Sequence, residues 1–364
     1  MTVSDDATRT RARAVVAAMT AYTLELREAA IKLNQNESPF DFPPELKDQV
    51  LAEAKARHWN IYPDFEAVAL RGALARVNGV SPDNVLVGNG SNELLAATIS
   101  TFIGPGTPVI FPRPTFALYE KLATVAGGVP IPVEFDPATG ALPVADILRI
   151  VPAVENAVVI VCSPNNPTGG ALGSRDLQSL LDSGAMVLFD RAYGDFAEHN
   201  SSFEPFGSAP MTLHPRLVTF STFSKAWGLA GLRVGWLAST AENCREIRKV
   251  KLPYSLNIIS EAAAVVALER RDVRDRNVQQ LVAERQRVIA AMAGIPRLRV
   301  FPTQANFIAF RVEKKAREIF EALHARGVLI RDVSSSPRLA YCLRVSIGSP
   351  AQNDRFLEAL REVV

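Results

Sequence analysis

The chain has 364 residues, with 40 Lys and Arg against 38 Asp and Glu for a net charge of +2. That length can bury a substantial core in two lobes, and the near-neutral, interspersed charge argues against nucleic-acid or membrane partners and for small-molecule chemistry. Cys162, Cys244 and Cys342 are odd in number and lack CxxC spacing, and His58, His199, His214 and His324 form no ligand pattern; neither a disulfide framework nor a metal site is expected, and a reducing cytoplasm is.

At the N-terminus, the Arg-rich stretch "RTRARAVVAAMTAY" follows Asp5 and Asp6 and leads directly into the body of the sequence, which reads as an N-terminal arm and not a targeting helix. No run of about eighteen apolar residues suggests a membrane span. From about residue 60 to 250, short β-branched runs alternate with longer helical stretches. "NVLVG", "PVIF", "VVIVC", "MVLFD", "LVTF" and "RVGWLA" are the strand candidates. Continuous apolar runs of this kind are expected of parallel strands buried on both faces, so this part should be a doubly wound α/β domain with a mostly parallel sheet. Beyond Pro253 the sequence becomes charged and helical ("RRDVRDRNVQQLVAERQRVIAAMAG"). Strands are expected near "NFIAFRV", "GVLIRDV" and "CLRVSIG", and a last helix at "NDRFLEALREVV". These boundaries predict a large domain over residues 51–255 and a smaller α+β domain over 256–364, joined by an arm of residues 1–50.

Ligands of such sheets bind at the carboxyl ends of strands, so the residues that follow each strand matter most. "GNGSNE" (Gly88 to Glu93) lacks the third glycine of a dinucleotide fingerprint. It fits a phosphate cup at a helix N-terminus, with Ser91 and Asn92 in the first turn, or an ordinary helix cap. "SPNNPTGG" puts Asn165 and Asn166 on a tight loop, and "DRAYGDF" ends a strand on Asp190 with Tyr193 three residues on. Lys225 stands within "TFSTFSKAWGLAGLRVGW", eight residues before Arg233. A lone lysine in apolar surroundings usually lifts its ammonium to water along its flexible stem; a desolvated one is partly neutral and condenses with a carbonyl. One ligand asks for all of these groups. Pyridoxal 5'-phosphate has an aldehyde for a lysine, a ring nitrogen for an aspartate, a phenolic oxygen for Tyr and Asn donors, and a phosphate for a Ser, Thr and Arg cup.

From "LNQNESPFDFPPEL" to "LRVSIGSPAQNDRFLEAL", the chain resembles the fold-type I pyridoxal-phosphate aminotransferases, and within them the histidinol-phosphate aminotransferase family. "SPNNPTG", "DRAYGDF" and "SKAWGLAGLRVGW" carry the resemblance. It implies that Lys225 forms the Schiff base and moves the proton, that Asp190 pairs with the ring nitrogen, and that Tyr193 and Asn166 bond the phenolic oxygen. Phe116 would lie on the ring face. Ser91, Asn92, Thr222, Ser224 and Arg233 would gather the phosphate, joined by Tyr62 from the second subunit of a homodimer that shares its active sites. Arg344 would fork the substrate α-carboxylate, while Arg331, thirteen residues earlier, and Tyr22 would bind a substrate phosphate. Related aromatic or broad-range aminotransferases and threonine-phosphate decarboxylases use the same cofactor pattern, so the amino donor is less sharply defined than the reaction. A nucleotide-binding or regulatory module would not need the full Lys, Asp, Tyr and Arg set.

Overall fold

The computed structural model describes residues 11–364 apart from 22, 24, 137–139, 174, 199–210 and 337; Tyr22 and His199 therefore lie outside the described residues. Its strands in chain order are β1 (Ile31–Lys32), β2 (Val85–Asn89), β3 (Pro108–Arg113), β4 (Val129–Glu134), β5 (Val158–Cys162), β6 (Met186–Asp190), β7 (Leu217–Thr222) and β8 (Val234–Ala238). β9 (Leu298–Val300), β10 (Phe307–Val312), β11 (Val328–Leu329), β12 (Arg331–Asp332) and β13 (Cys342–Ser346) follow.

β2 to β8 form one seven-stranded sheet in the order β2-β8-β7-β6-β5-β3-β4. β4, β3, β5, β6 and β7 run parallel, and β8 is antiparallel to both of its neighbours. The sheet is an α/β layer covered on both faces, as the apolar runs predicted. Val158, Ile160 and Cys162 join one core, while Val159 and Val161 join a second with Ile147, Leu180 and Leu181 from the helices Val144–Ile150 and Asp176–Asp182. The alternation is the two-residue period of a strand packed on both sides. β4 was not expected, because Pro130 and Pro132 interrupt its pattern. The structure places it at the sheet edge, paired only with β3, where missing ladder donors cost least.

The C-terminal strands form a separate antiparallel sheet, β12-β13-β10-β9, and β1 pairs in parallel with β11. The chain after β1 is then stitched into place. Leu33 N–H donates to Leu329 O at 2.7 Å, Ser346 N–H donates to Leu33 O at 2.9 Å, and Asn36 N–H donates to Ser346 Oγ at 2.8 Å. Residues 34–36 consequently run from the C-terminal sheet towards the large one. The helix Ser91–Phe102 begins directly over β8. A Cβ on Gly235 would lie 2.1 Å from Ser91 N, so only glycine allows this approach. Among the described residues no helix is long and apolar enough to cross a membrane.

Candidate active site

β2, β3, β5, β6 and β7 all end on the same edge of the sheet, because β2 is antiparallel to a strand that is itself antiparallel to β7. Asn89, Arg113, Cys162, Asp190 and Thr222 close these strands, and Arg233 immediately precedes β8. A cavity of about 380 Å³ opens at this edge. All the candidate residues line it except Tyr62 and Tyr22. Tyr22 lies outside the described residues.

Asp190 is 8% exposed. Its Oδ2 accepts from Tyr119 Oη at 2.7 Å and its Oδ1 from the Ala192 N–H at 2.9 Å. Burial raises the carboxyl above its ordinary pKa, and these two donors oppose the rise. Tyr193 follows on the same loop; its Oη accepts from Asn36 Nδ2 at 3.0 Å, and burial pushes its phenol upward.

Lys225, in the turn after β7, donates from Nζ to Gln35 O at 2.9 Å. Burial lowers its pKa from 10.5 to about 8, with Arg344 the next cause and Glu37 opposing. Both leading causes disfavour the ammonium form.

Hydroxyls, amides and a guanidinium cluster at one end of the cavity. Thr222 Oγ1 lies 2.9 Å from Ser224 Oγ, which in turn accepts from Arg233 Nη1 at 3.2 Å. The helix cap beside them is Gly90, with φ 76°, which offers no side chain to the first-turn N–H groups of Ser91 and Asn92. A Cβ there would meet Arg233 Nη2 at 2.4 Å. The glycine thus leaves room for a guanidinium at a helix N-terminus, a strongly anion-seeking combination.

On the facing wall, Arg344 donates from Nη1 to Asn166 Oδ1 at 2.5 Å and from Nη2 to Asn34 O at 2.8 Å, with its guanidinium over the Phe307 ring at 5.2 Å. Arg331 is its direct cross-strand neighbour on β12. Phe116 meets Tyr119 edge-on, with centroids 5.6 Å apart. Tyr62 is 78% exposed and stacks on Tyr254 at 4.6 Å, away from this cavity.

Asn34, Gln35, Asn36 and Tyr119 belong to the site and were not singled out from the sequence. The first three form an amide run directly after the alternating Ile31-Lys32-Leu33 in "IKLNQN", a signal for a polar wall. Tyr119 lies in a stretch that reads as helix core.

Residues 28–360 match the family described as aminotransferase class I and II. The chain is 36% identical over 343 residues to histidinol-phosphate aminotransferase of Chlorobaculum tepidum, covering 93% of this chain and 95% of that one. It is 37% identical over 349 residues to the enzyme of the same name from Aquifex aeolicus, covering 94% and 95%. The chain belongs to the histidinol-phosphate aminotransferase family, within the class I and II aminotransferases. The crystal structure of histidinol-phosphate aminotransferase from Sinorhizobium meliloti in complex with pyridoxal-5'-phosphate superposes with a TM-score of 0.86 at 26% identity, covering 98% of each chain.

This membership makes the chain an aminotransferase with pyridoxal phosphate as its cofactor. The residues present fit that group: the cavity joins an anion-seeking end, built around the side-chain-free Gly90, to a buried carboxylate, with a lysine of lowered pKa on its wall.

At pH 8 about half of a population of such lysines is neutral, whereas the ordinary pKa would leave well under about 1% neutral. In cofactor-free protein, pH-resolved amine labelling read by peptide mass should reach half its limiting rate at Lys225 near pH 8. Arg344→Gln should move this midpoint upward by removing a like charge. A midpoint near the ordinary lysine value would show that the amine is solvated.

Proposed function

We propose that the chain exchanges the amino group of L-histidinol phosphate with 2-oxoglutarate, giving imidazole acetol phosphate and glutamate in histidine biosynthesis, as a cytoplasmic homodimer. The observation that carries this reading is the cross-strand pairing of Arg331 with Arg344 on a wall of the Lys225 cavity. Like charges directly opposite on antiparallel strands repel each other, and an anionic substrate offsets the cost. Within this reading, residues 51–255 carry the cofactor groups, while residues 1–50 and 256–364 contribute the substrate-binding groups.

When bound, pyridoxal phosphate supplies an aldehyde that condenses with a primary amine and a ring that takes up the electrons left when the substrate Cα loses its proton. Lys225, as a partly neutral amine, would hold the aldehyde and would carry the proton to and from the substrate Cα. Asp190 holds the proton on the ring nitrogen. Tyr193 Oη and Asn166 Nδ2 bond the phenolic oxygen; Asn166 Oδ1 is already taken by Arg344. Phe116 would cover the ring face, and Ser91, Asn92, Thr222, Ser224 and Arg233 would hold the phosphate. Arg344 forks the α-carboxylate of glutamate, a geometry that lysine cannot supply. Arg331, with Tyr22, takes the substrate phosphate in one half-reaction and the distal carboxylate of glutamate in the other.

The homodimer is supported by a patch of exposed apolar side chains that includes Trp59, Ile61, Tyr62, Phe65, Leu252 and Tyr254. Tyr62 and Phe65 both pack on the Tyr254 ring, at 4.6 and 5.2 Å. Exposed apolar side chains clustered in this way mark an interaction site, and Tyr62 among them would reach the phosphate end of the partner's cavity.

Removing one charge-assisted contact of about 2–3 kcal/mol lowers kcat/KM by roughly 30- to 150-fold. Arg331→Ala should lose that much in the half-reactions of histidinol phosphate and glutamate and much less with phenylalanine, which has no distal anion. Arg344→Ala should slow glutamate and phenylalanine alike. Equal losses for phenylalanine and histidinol phosphate in Arg331→Ala would instead indicate a general aminotransferase. For the shared site, Tyr62→Phe and Lys225→Ala chains, mixed under conditions verified to exchange subunits, should form heterodimers with one intact site and recover part of the lost activity. No recovery would confine Tyr62 to its own chain.

A further inference from the structure

We infer that Tyr119 is a positioning residue for the cofactor's ring nitrogen and acts through Asp190. The inference rests on the reading of Asp190 given above and extends it to a residue outside the recognised motifs. Tyr119 is fully buried, and its hydroxyl lies 2.7 Å from Asp190 Oδ2. The other carboxylate oxygen takes the Ala192 N–H at 2.9 Å. Each oxygen is therefore fixed by one protein donor, and each keeps acceptor capacity of its own. Because both residues line the cavity, that remaining capacity is what a protonated ring nitrogen meets.

The placement follows from local structure. Tyr119 lies in the first turn of the helix Leu118–Ala126, three residues after Phe116, so a single short segment supplies both an aromatic wall and the support for the carboxylate. Asp190 closes β6, where pairing with Cys162 and Phe220 fixes its main chain, and its carboxylate is held by the two donors. Burial favours the neutral acid at this position, and Tyr119 is the larger of the two opposing influences. Its own phenol is pushed well above the ordinary range by burial and by Asp190, so it remains a donor throughout the neutral range. A tyrosine that merely filled the core would not need a carboxylate at the functional edge of the sheet as its partner.

Tyr119→Phe removes only the hydroxyl. Cofactor-free wild-type and variant proteins are titrated with pyridoxal phosphate and with 1-deazapyridoxal phosphate, which has carbon in place of the ring nitrogen. The variant should bind pyridoxal phosphate roughly 10-fold more weakly, the size expected for one hydrogen bond to a charged group, and the deaza analogue less than about 2-fold more weakly. Equal losses for the two ligands, or no loss for either, would reduce Tyr119 to a packing residue. Wild-type protein that binds both ligands equally would overturn the Asp190 reading itself. If the Phe variant does not fold, 3-fluorotyrosine at position 119 provides a stronger donor of nearly the same size. It should then tighten pyridoxal phosphate binding selectively, and an unselective effect would contradict the inference.

Discussion

The Lys225 amine sits where burial and the Arg344 guanidinium both oppose its charge, and the surrounding structure is arranged so that it nevertheless stays in place. Its hydrogen bond to Gln35 O holds it against the segment that follows β1, and Arg344 is tied to the same segment through Asn34 O. A half-buried cation next to another cation is costly. The arrangement makes sense if the lysine works as a neutral nucleophile and Arg344 is matched by an incoming carboxylate. The Lys225 amine and the Arg344 guanidinium are thus coupled by charge before any ligand arrives.

The segment 33–36 is the mechanical link between the two sheets. It is fixed to the C-terminal strands by main-chain hydrogen bonds at Leu33 and by the bond from Asn36 N–H to Ser346 Oγ, and its side chains and carbonyls reach Tyr193, Lys225 and Arg344. Any displacement of the C-terminal sheet relative to the large one would be felt at all three groups.

Much of this was legible in the sequence because it depends on local pattern. Six strands of the large sheet appear as apolar runs because burial on both faces removes alternation. The groups that follow them stand out because polar residues at the ends of such strands need partners. Other features depend on contacts between distant parts of the chain. β4 was hidden by two prolines that only an edge strand accommodates, and β12 and β11 were read as one run. The thirteen residues between Arg331 and Arg344 gave no hint that the two are cross-strand neighbours. Asn36 meets Tyr193 across 157 positions and Gln35 meets Lys225 across 190, and no local periodicity records either contact. Tyr119 was concealed for a different reason: a tyrosine on an apolar helix face reads as core, and it is core, with one polar atom committed to Asp190.

The central claim is that Lys225 carries the cofactor. Purified protein loaded with pyridoxal phosphate, reduced with borohydride and mapped by peptide mass tests it most directly. The account predicts one phosphopyridoxyl addition per chain, on the peptide that contains Lys225, and none in Lys225→Ala. Stoichiometric addition at another lysine, or no reducible adduct in protein that performs transamination, would contradict it.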